Sequence, residues 1–133
     1  MRKSLLDTNI LTAFLKGNQK VVSNISAYLD EFPVLTISVI TYYEIIRGLK
    51  AINSINKLKT FQSLVEKSEI ENINKAIMDS ATDIYVNLRR QGTLIEDADI
   101  LLAATSIEKE LVLVTDNIFH FRRIKELRIE NWL

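Results

Sequence analysis

The chain has 133 residues and the composition of an ordinary globular domain, 47% hydrophobic, long enough to bury a real core. It has no cysteine, which excludes disulfide frameworks, thiolate zinc sites and cysteine nucleophiles, and its single histidine, His120, excludes a multi-histidine metal site and disfavours a Ser-His-Asp triad. Seventeen Lys and Arg balance 17 Asp and Glu, so any binding to nucleic-acid phosphates must use a local basic face rather than an overall positive charge.

No apolar run approaches the roughly 20 residues that span a bilayer. Met1-Arg2-Lys3-Ser4 leads into a short apolar stretch interrupted by an acid, which does not support a signal peptide. The expected location is the cytoplasm. With three glycines, one proline and no linker or repeat, residues 1–133 read as one domain of regular elements and short connections.

Lys3 to Leu6 reads as a short strand, followed by a helix from Thr8 to Lys16 with Ile10, Leu11, Phe14 and Leu15 on one side and Gly17 as its C-terminal cap. A second helix is expected over Gln19 to Leu29, a turn over Asp30 to Pro33, and a buried β-branched strand over Val34 to Ile37. Val39 to Leu49 predicts a helix ended near Gly48. Ile55, Leu58, Phe61, Gln62 and Val65 trace a helical stripe through 54–66. Ile70 to Ile73 is a candidate strand. Lys75 to Arg90 predicts a long amphipathic helix stopped by Gly92, and Asp97 to Glu110 a helix around Leu101-Leu102-Ala103-Ala104. Leu111 to Thr115 is the clearest strand. Ile118 to Arg123 suggests a helical turn and Leu127 to Ile129 an edge strand. Alternation of strands and helices implies right-handed crossovers, hence an α/β/α sandwich around a parallel sheet of about four or five strands.

Acids fall where this fold would place a ligand, at the carboxyl ends of the strands. Asp7 closes the first strand. Glu44 sits among apolar neighbours, with Thr41 and Arg47 completing a narrow polar stripe. Asp99 opens a helix beside Glu96 and Asp97, and Asp116-Asn117 follow the clearest strand. Each position also has a structural reading: Asp7 as an N-cap, Asp99 as a helix-dipole partner, Glu44 as a solvated stripe, Asp116-Asn117 as a turn. Together they point elsewhere. Clustered carboxylates repel unless a cation joins them, and an all-oxygen donor set suits Mg²⁺ or Mn²⁺ rather than Zn²⁺. Metal-assisted hydrolysis of a phosphodiester is the chemistry such a cluster performs.

Four segments carry a family resemblance: Leu5-Leu-Asp-Thr-Asn-Ile-Leu11, Ser38-Val-Ile-Thr-Tyr-Tyr-Glu-Ile-Ile-Arg-Gly-Leu49, Asp97-Ala-Asp-Ile-Leu-Leu-Ala-Ala104 and Leu113-Val-Thr-Asp-Asn117. In this order, with the ending Phe119-His-Phe-Arg-Arg-Ile124 and Ile129-Glu-Asn-Trp132, the whole chain resembles the PIN domain, and more narrowly the VapC-type toxins of toxin–antitoxin pairs. The resemblance implies a Mg²⁺- or Mn²⁺-dependent endoribonuclease, usually a homodimer, held inactive by a cognate VapB-like antitoxin. Asp7, Glu44 and Asp99 match the family's first three acids and would hold the metal. The fourth position falls on Asn117, with Asp116 adjacent and able to substitute. Thr8, Asn9 and Thr115 match supporting polar residues. The middle helices, about 52–66, match the region that grips the antitoxin, whose arginine would enter the acidic pocket; the stripe there is equally that of a core helix.

Two other classes compete. A catalytically weak PIN-like module that binds RNA or protein is kept open by the neutral Asn117. An aspartyl-phosphate phosphatase or receiver would want a second acid beside Asp7 or two residues on, where Asn9 stands. His120, Phe119, Phe121 and Trp132 are expected to pack the C-terminal segment on the sheet, and the clustered Arg and Lys residues to be solvated surface charge.

Overall fold

Leu5 and Leu6 are adjacent, both fully buried, and belong to different cores. Successive side chains of a strand point to opposite faces, so a sheet covered on both sides needs apolar residues at every position. The computed structural model, which describes residues 1–133, is built on that alternation. Its elements in chain order are β1 (Ser4–Leu6), α1 (Thr8–Leu15), α2 (Gln19–Glu31), β2 (Leu35–Ser38), α3 (Val39–Ala51), α4 (Ile55–Glu66), β3 (Ser68–Glu71), α5 (Lys75–Arg90), α6 (Asp97–Glu108), β4 (Val112–Val114), α7 (Ile118–Phe121) and β5 (Ile129–Glu130).

The five strands pair in the order β3-β2-β1-β4-β5, all parallel. One core packs Leu6, Val114 and Ile37 against Ile10 and Leu11 of α1, Val21 and Tyr28 of α2, Ile45 of α3 and Phe61 of α4. The other packs Leu5 and Leu113 against Ile77 and Leu88 of α5, Leu102 of α6 and Phe121 of α7. This is the expected three-layer sandwich. Each large apolar side chain so buried contributes about 1.5–3 kcal/mol.

Element boundaries differ from the sequence reading in ways the backbone explains. α2 continues through Asp30 and Glu31, and the bend falls at residues 32–34, so β2 begins at Leu35 rather than Val34 and extends to Ser38. Gly48 lies inside α3, which runs to Ala51; the reversal is made by Asn53, at φ 53° in the left-handed region that asparagine tolerates. β3 starts two residues earlier than expected and β5 two residues later, because each takes its register from a neighbour: Ser68 opposite Leu35, Ile129 opposite Leu113. Gly17 and Gly92 do end α1 and α5, at φ 79° and 69°. The middle stripe divides: Phe61 is fully buried, whereas Ile55 is 64% exposed. No helix is long and apolar enough to cross a membrane.

Candidate active site at the carboxyl edge of the sheet

The chain builds outward from β1 through β2 to β3, then returns to add β4 on the other side. The order therefore reverses between β1 and β4, and parallel sheets form their ligand crevice at that point, beyond the strand ends. Asp7 stands there. Its backbone N–H donates to the Val114 carbonyl at 2.9 Å, which fixes it against β4. Its Oδ1 accepts from the Thr8 N–H at 2.7 Å and its Oδ2 from the Thr115 hydroxyl at 2.8 Å. Asp7 is thus the N-cap of α1 and also the floor of a crevice of about 490 Å³.

The other predicted residues reach the same crevice from separate elements. α3 brings Glu44, whose Oε1 accepts from the Thr8 hydroxyl at 2.8 Å. The polar stripe of α3 splits around it: Thr41 is buried, with a hydroxyl oxygen that has no partner, and Arg47 turns to solvent over the Tyr43 ring. α6 runs antiparallel to the strands, so its first turn carries Asp99 to their carboxyl edge. The loop after β4 supplies Asp116 and Asn117. The Asn9 amide donates to Asp116 Oδ1, and the Asn117 amide contacts His120 Nδ1 at 2.8 Å. The Asn117 backbone N–H donates to the Thr115 hydroxyl oxygen, which thereby links the loop to Asp7.

Burial pushes the Asp7 carboxyl up to about 6; the hydrogen bonds from Thr115 and Thr8 oppose this, and the charges of Asp99 and Glu44 add to it. Burial likewise raises the Asp99 carboxyl, which His120 lowers and the charges of Glu96 and Glu44 raise. The crevice on its own therefore resists full ionisation. No Lys or Arg forms a salt bridge with Asp7, Glu44 or Asp99; only His120 comes near, its Nδ1 3.8 Å from Asp99 Oδ2.

These residues fit a hard cation. The donors are oxygens, two carboxyls are destabilised as anions, and the buried Asn9 Oδ1 has no partner. As placed, no three of the acids and the histidine form a ready three-ligand cluster. A cation that retains most of its water needs only one or two direct carboxylates.

Sequence reasoning missed two contributors. Thr12 and Lys16 also line the crevice, and Lys16 is the only cation among its lining residues. The signal was present: Thr8, Thr12 and Lys16 recur every four residues and share a helix face. His120 and Phe119 need correction. Phe121 and Trp132 are buried as expected, but Phe119 is 59% exposed and His120 stands beside Asp99 and Asn117, because the single turn of α7 can turn only one side inward.

Fold and site together define a class: an α/β/α protein with an oxygen-lined acidic crevice at the switch point of a parallel sheet. The sequence profile of the PIN domain matches residues 4–127, and the chain belongs to the PIN-domain family. It is 34% identical over 128 residues to the ribonuclease VapC1 of Methanocaldococcus jannaschii, covering 96% of this chain and 85% of the relative. It is 28% identical to the tRNA(fMet)-specific endonuclease VapC of Salmonella typhimurium, covering 99% of each. Its fold matches VapBC of Salmonella typhimurium bound to DNA, with TM-score 0.88, 27% identity and complete coverage of both chains. It also matches VapBC2 of Rickettsia felis bound to a promoter DNA fragment, with TM-score 0.85, 27% identity and 98% coverage of each.

Proposed function

We propose that residues 1–133 act as a single PIN domain, the ribonuclease toxin of a VapBC-type pair, hydrolysing RNA phosphodiester bonds at this crevice with Mg²⁺ or Mn²⁺. The observation that carries the reading is the convergence of Asp7, Glu44, Asp99 and Asp116 on one crevice in which no Lys or Arg forms a salt bridge with any of them. The names of the relatives supply the substrate class, RNA, and the cytoplasm is where such a toxin meets it.

Asp7, Asp99 and Glu44 would hold the metal, which supplies an activated water and neutralises charge developing on the phosphate. The chain does the rest by positioning. Thr115 and the Thr8 N–H fix both oxygens of Asp7, and the Thr8 hydroxyl fixes Glu44. Asn117, bonded to His120, stands at the fourth position, and Asp116 beside it brings a carboxylate that would substitute there. Lys16 at the rim is suited to a phosphate oxygen.

The antitoxin reading rests on a second groove, of about 210 Å³, that shares Thr8, Thr12, Lys16 and Glu44 with the crevice and continues over Leu15, Ile45, Leu49 and Ile52. Ile52 is 70% exposed. An antitoxin segment with apolar side chains in this groove would deliver an arginine to the acids, where a guanidinium binds carboxylates bidentately. We take the working form to be a homodimer. The neutral Asn117 favours the alternative, a catalytically weak binding module; the Asp116 carboxylate in the same crevice weighs against it.

The test is purified, antitoxin-free protein on total cellular RNA, with Mg²⁺ or with EDTA. Discrete fragments should form with the metal alone. Intact RNA in both, from folded protein, would move the assignment to the binding module.

A further inference from the structure

Beside the acidic crevice stands a feature that neither the fold nor the acids require. Phe119, on α7, is 59% exposed, although two guanidiniums already lie against it: Arg122 at 4.8 Å and Arg123 at 5.0 Å from the ring centroid. Neither arginine has a carboxylate partner. Arg123 is tied to the Thr93 carbonyl at 3.2 Å, whereas Arg122 makes no side-chain hydrogen bond. The patch is contiguous with the crevice through His120, whose ring centroid is 6.3 Å from that of Phe119 and whose Nδ1 is 3.8 Å from Asp99 Oδ2.

An exposed aromatic ring with unpaired guanidiniums has two complementary capacities. Its flat apolar surface stacks an unpaired base, and the guanidinium edge donates to a phosphate. Stacking on the ring also holds the guanidiniums in place before a ligand arrives. In a chain of zero net charge such a patch is the sort of local basic face that phosphate binding demands.

We infer that Phe119, Arg122 and Arg123 form a positioning subsite for single-stranded RNA, in which an unpaired base next to the scissile phosphate stacks on Phe119 and Arg122 takes a neighbouring phosphate. The inference rests on the ribonuclease reading for its substrate class. It also predicts preference: RNA whose base is paired cannot reach the ring, so loops and single strands bind and duplex does not.

The test separates binding from cleavage. A short labelled single-stranded RNA of mixed sequence, and its duplex, are titrated in EDTA with wild type, Phe119→Ala, Phe119→Tyr and Arg122→Gln; the same proteins then cleave the RNA pool in Mg²⁺. Wild type should prefer the single strand. Phe119→Ala should weaken that binding about tenfold and Phe119→Tyr should restore it. Arg122→Gln should weaken binding and reduce its salt dependence by about one counterion. In cleavage, Phe119→Ala should raise KM with kcat little changed. Unchanged single-strand affinity in folded Phe119→Ala overturns the subsite, even where cleavage proceeds normally. Binding that depends on Phe119 without cleavage by wild type supports the subsite and removes the nuclease reading. Absence of both overturns both.

Discussion

The Thr115 hydroxyl donates to Asp7 Oδ2 at 2.8 Å across 108 residues of sequence. It joins the end of β4 to the end of β1, and the same oxygen accepts the Asn117 N–H. One buried hydroxyl thus orients the central acid and the loop that carries Asp116.

Thr115→Val keeps the shape and removes both bonds. The stranded Asp7 oxygen and Asn117 N–H should cost about 1–3 kcal/mol of stability. Cleavage should fall about tenfold or more, since a freed carboxylate no longer holds its place. Thermal melts and initial rates on the same preparations check this, and unchanged rates would show that Asp7 needs no such orientation.

Asp7 makes the metal-free fold sensitive to pH in a defined direction. Its carboxyl stands near 6 folded against 3.8 unfolded, so the native state binds the proton more tightly. Its contribution to stability is therefore greatest below the unfolded value and is lost as pH rises through 4 to above 6, by about 3 kcal/mol from this group. Asp7→Asn, which cannot ionise, should be the more stable protein in EDTA at pH 8 and should lose that slope. Urea melts at pH 5 and pH 8 decide it; a wild type equally stable at both, relative to the mutant, would contradict the cause assigned to the shift.

Metal should reverse that penalty. Mg²⁺ or Mn²⁺ binds the ionised acids, so its stabilisation should grow with pH and release protons. The rise in Tm should be smaller in Asp99→Asn and Glu44→Gln than in wild type. Equal rises in all three would place the ion elsewhere.

Asn117→Asp puts a carboxylate where the family pattern has one. His120, which contacts the Asn117 amide and stands near Asp99, would remain within reach of the new carboxylate. Cleavage should be preserved or increased. A clear loss, measured as kcat on one defined RNA, would assign the fourth position to Asp116 and leave Asn117 its neutral role.

Much of the site was legible because strand ends announce themselves. Apolar runs such as Leu5-Leu6 and Leu111–Val114 stop abruptly at Asp7 and at Thr115-Asp116, and a parallel sheet puts both ends on one edge. Glu44 and Asp99 stood out against apolar helices. Pairings were not legible: nothing local couples Thr115 to Asp7, or Thr8 to Glu44 across 36 residues. Gly48 misled because a glycine on the exposed side of a packed helix costs only about 1 kcal/mol, which the buried Ile45 face outweighs. The two-residue strand β5 is too short for its own pattern to set a boundary; β4 sets it. Phe119 looked like core by composition, and only the geometry of α7 turns it outward.

The most direct measurement is the single-turnover cleavage rate of one defined single-stranded RNA, in Mn²⁺, by wild type and by Asp7→Asn shown to be folded. Wild type should cleave in a metal-dependent manner and the mutant about a thousandfold or more slower, as expected if the acid at the switch point holds the reaction centre. Equal rates would contradict this, and would place the chemistry outside the crevice that Asp7 anchors.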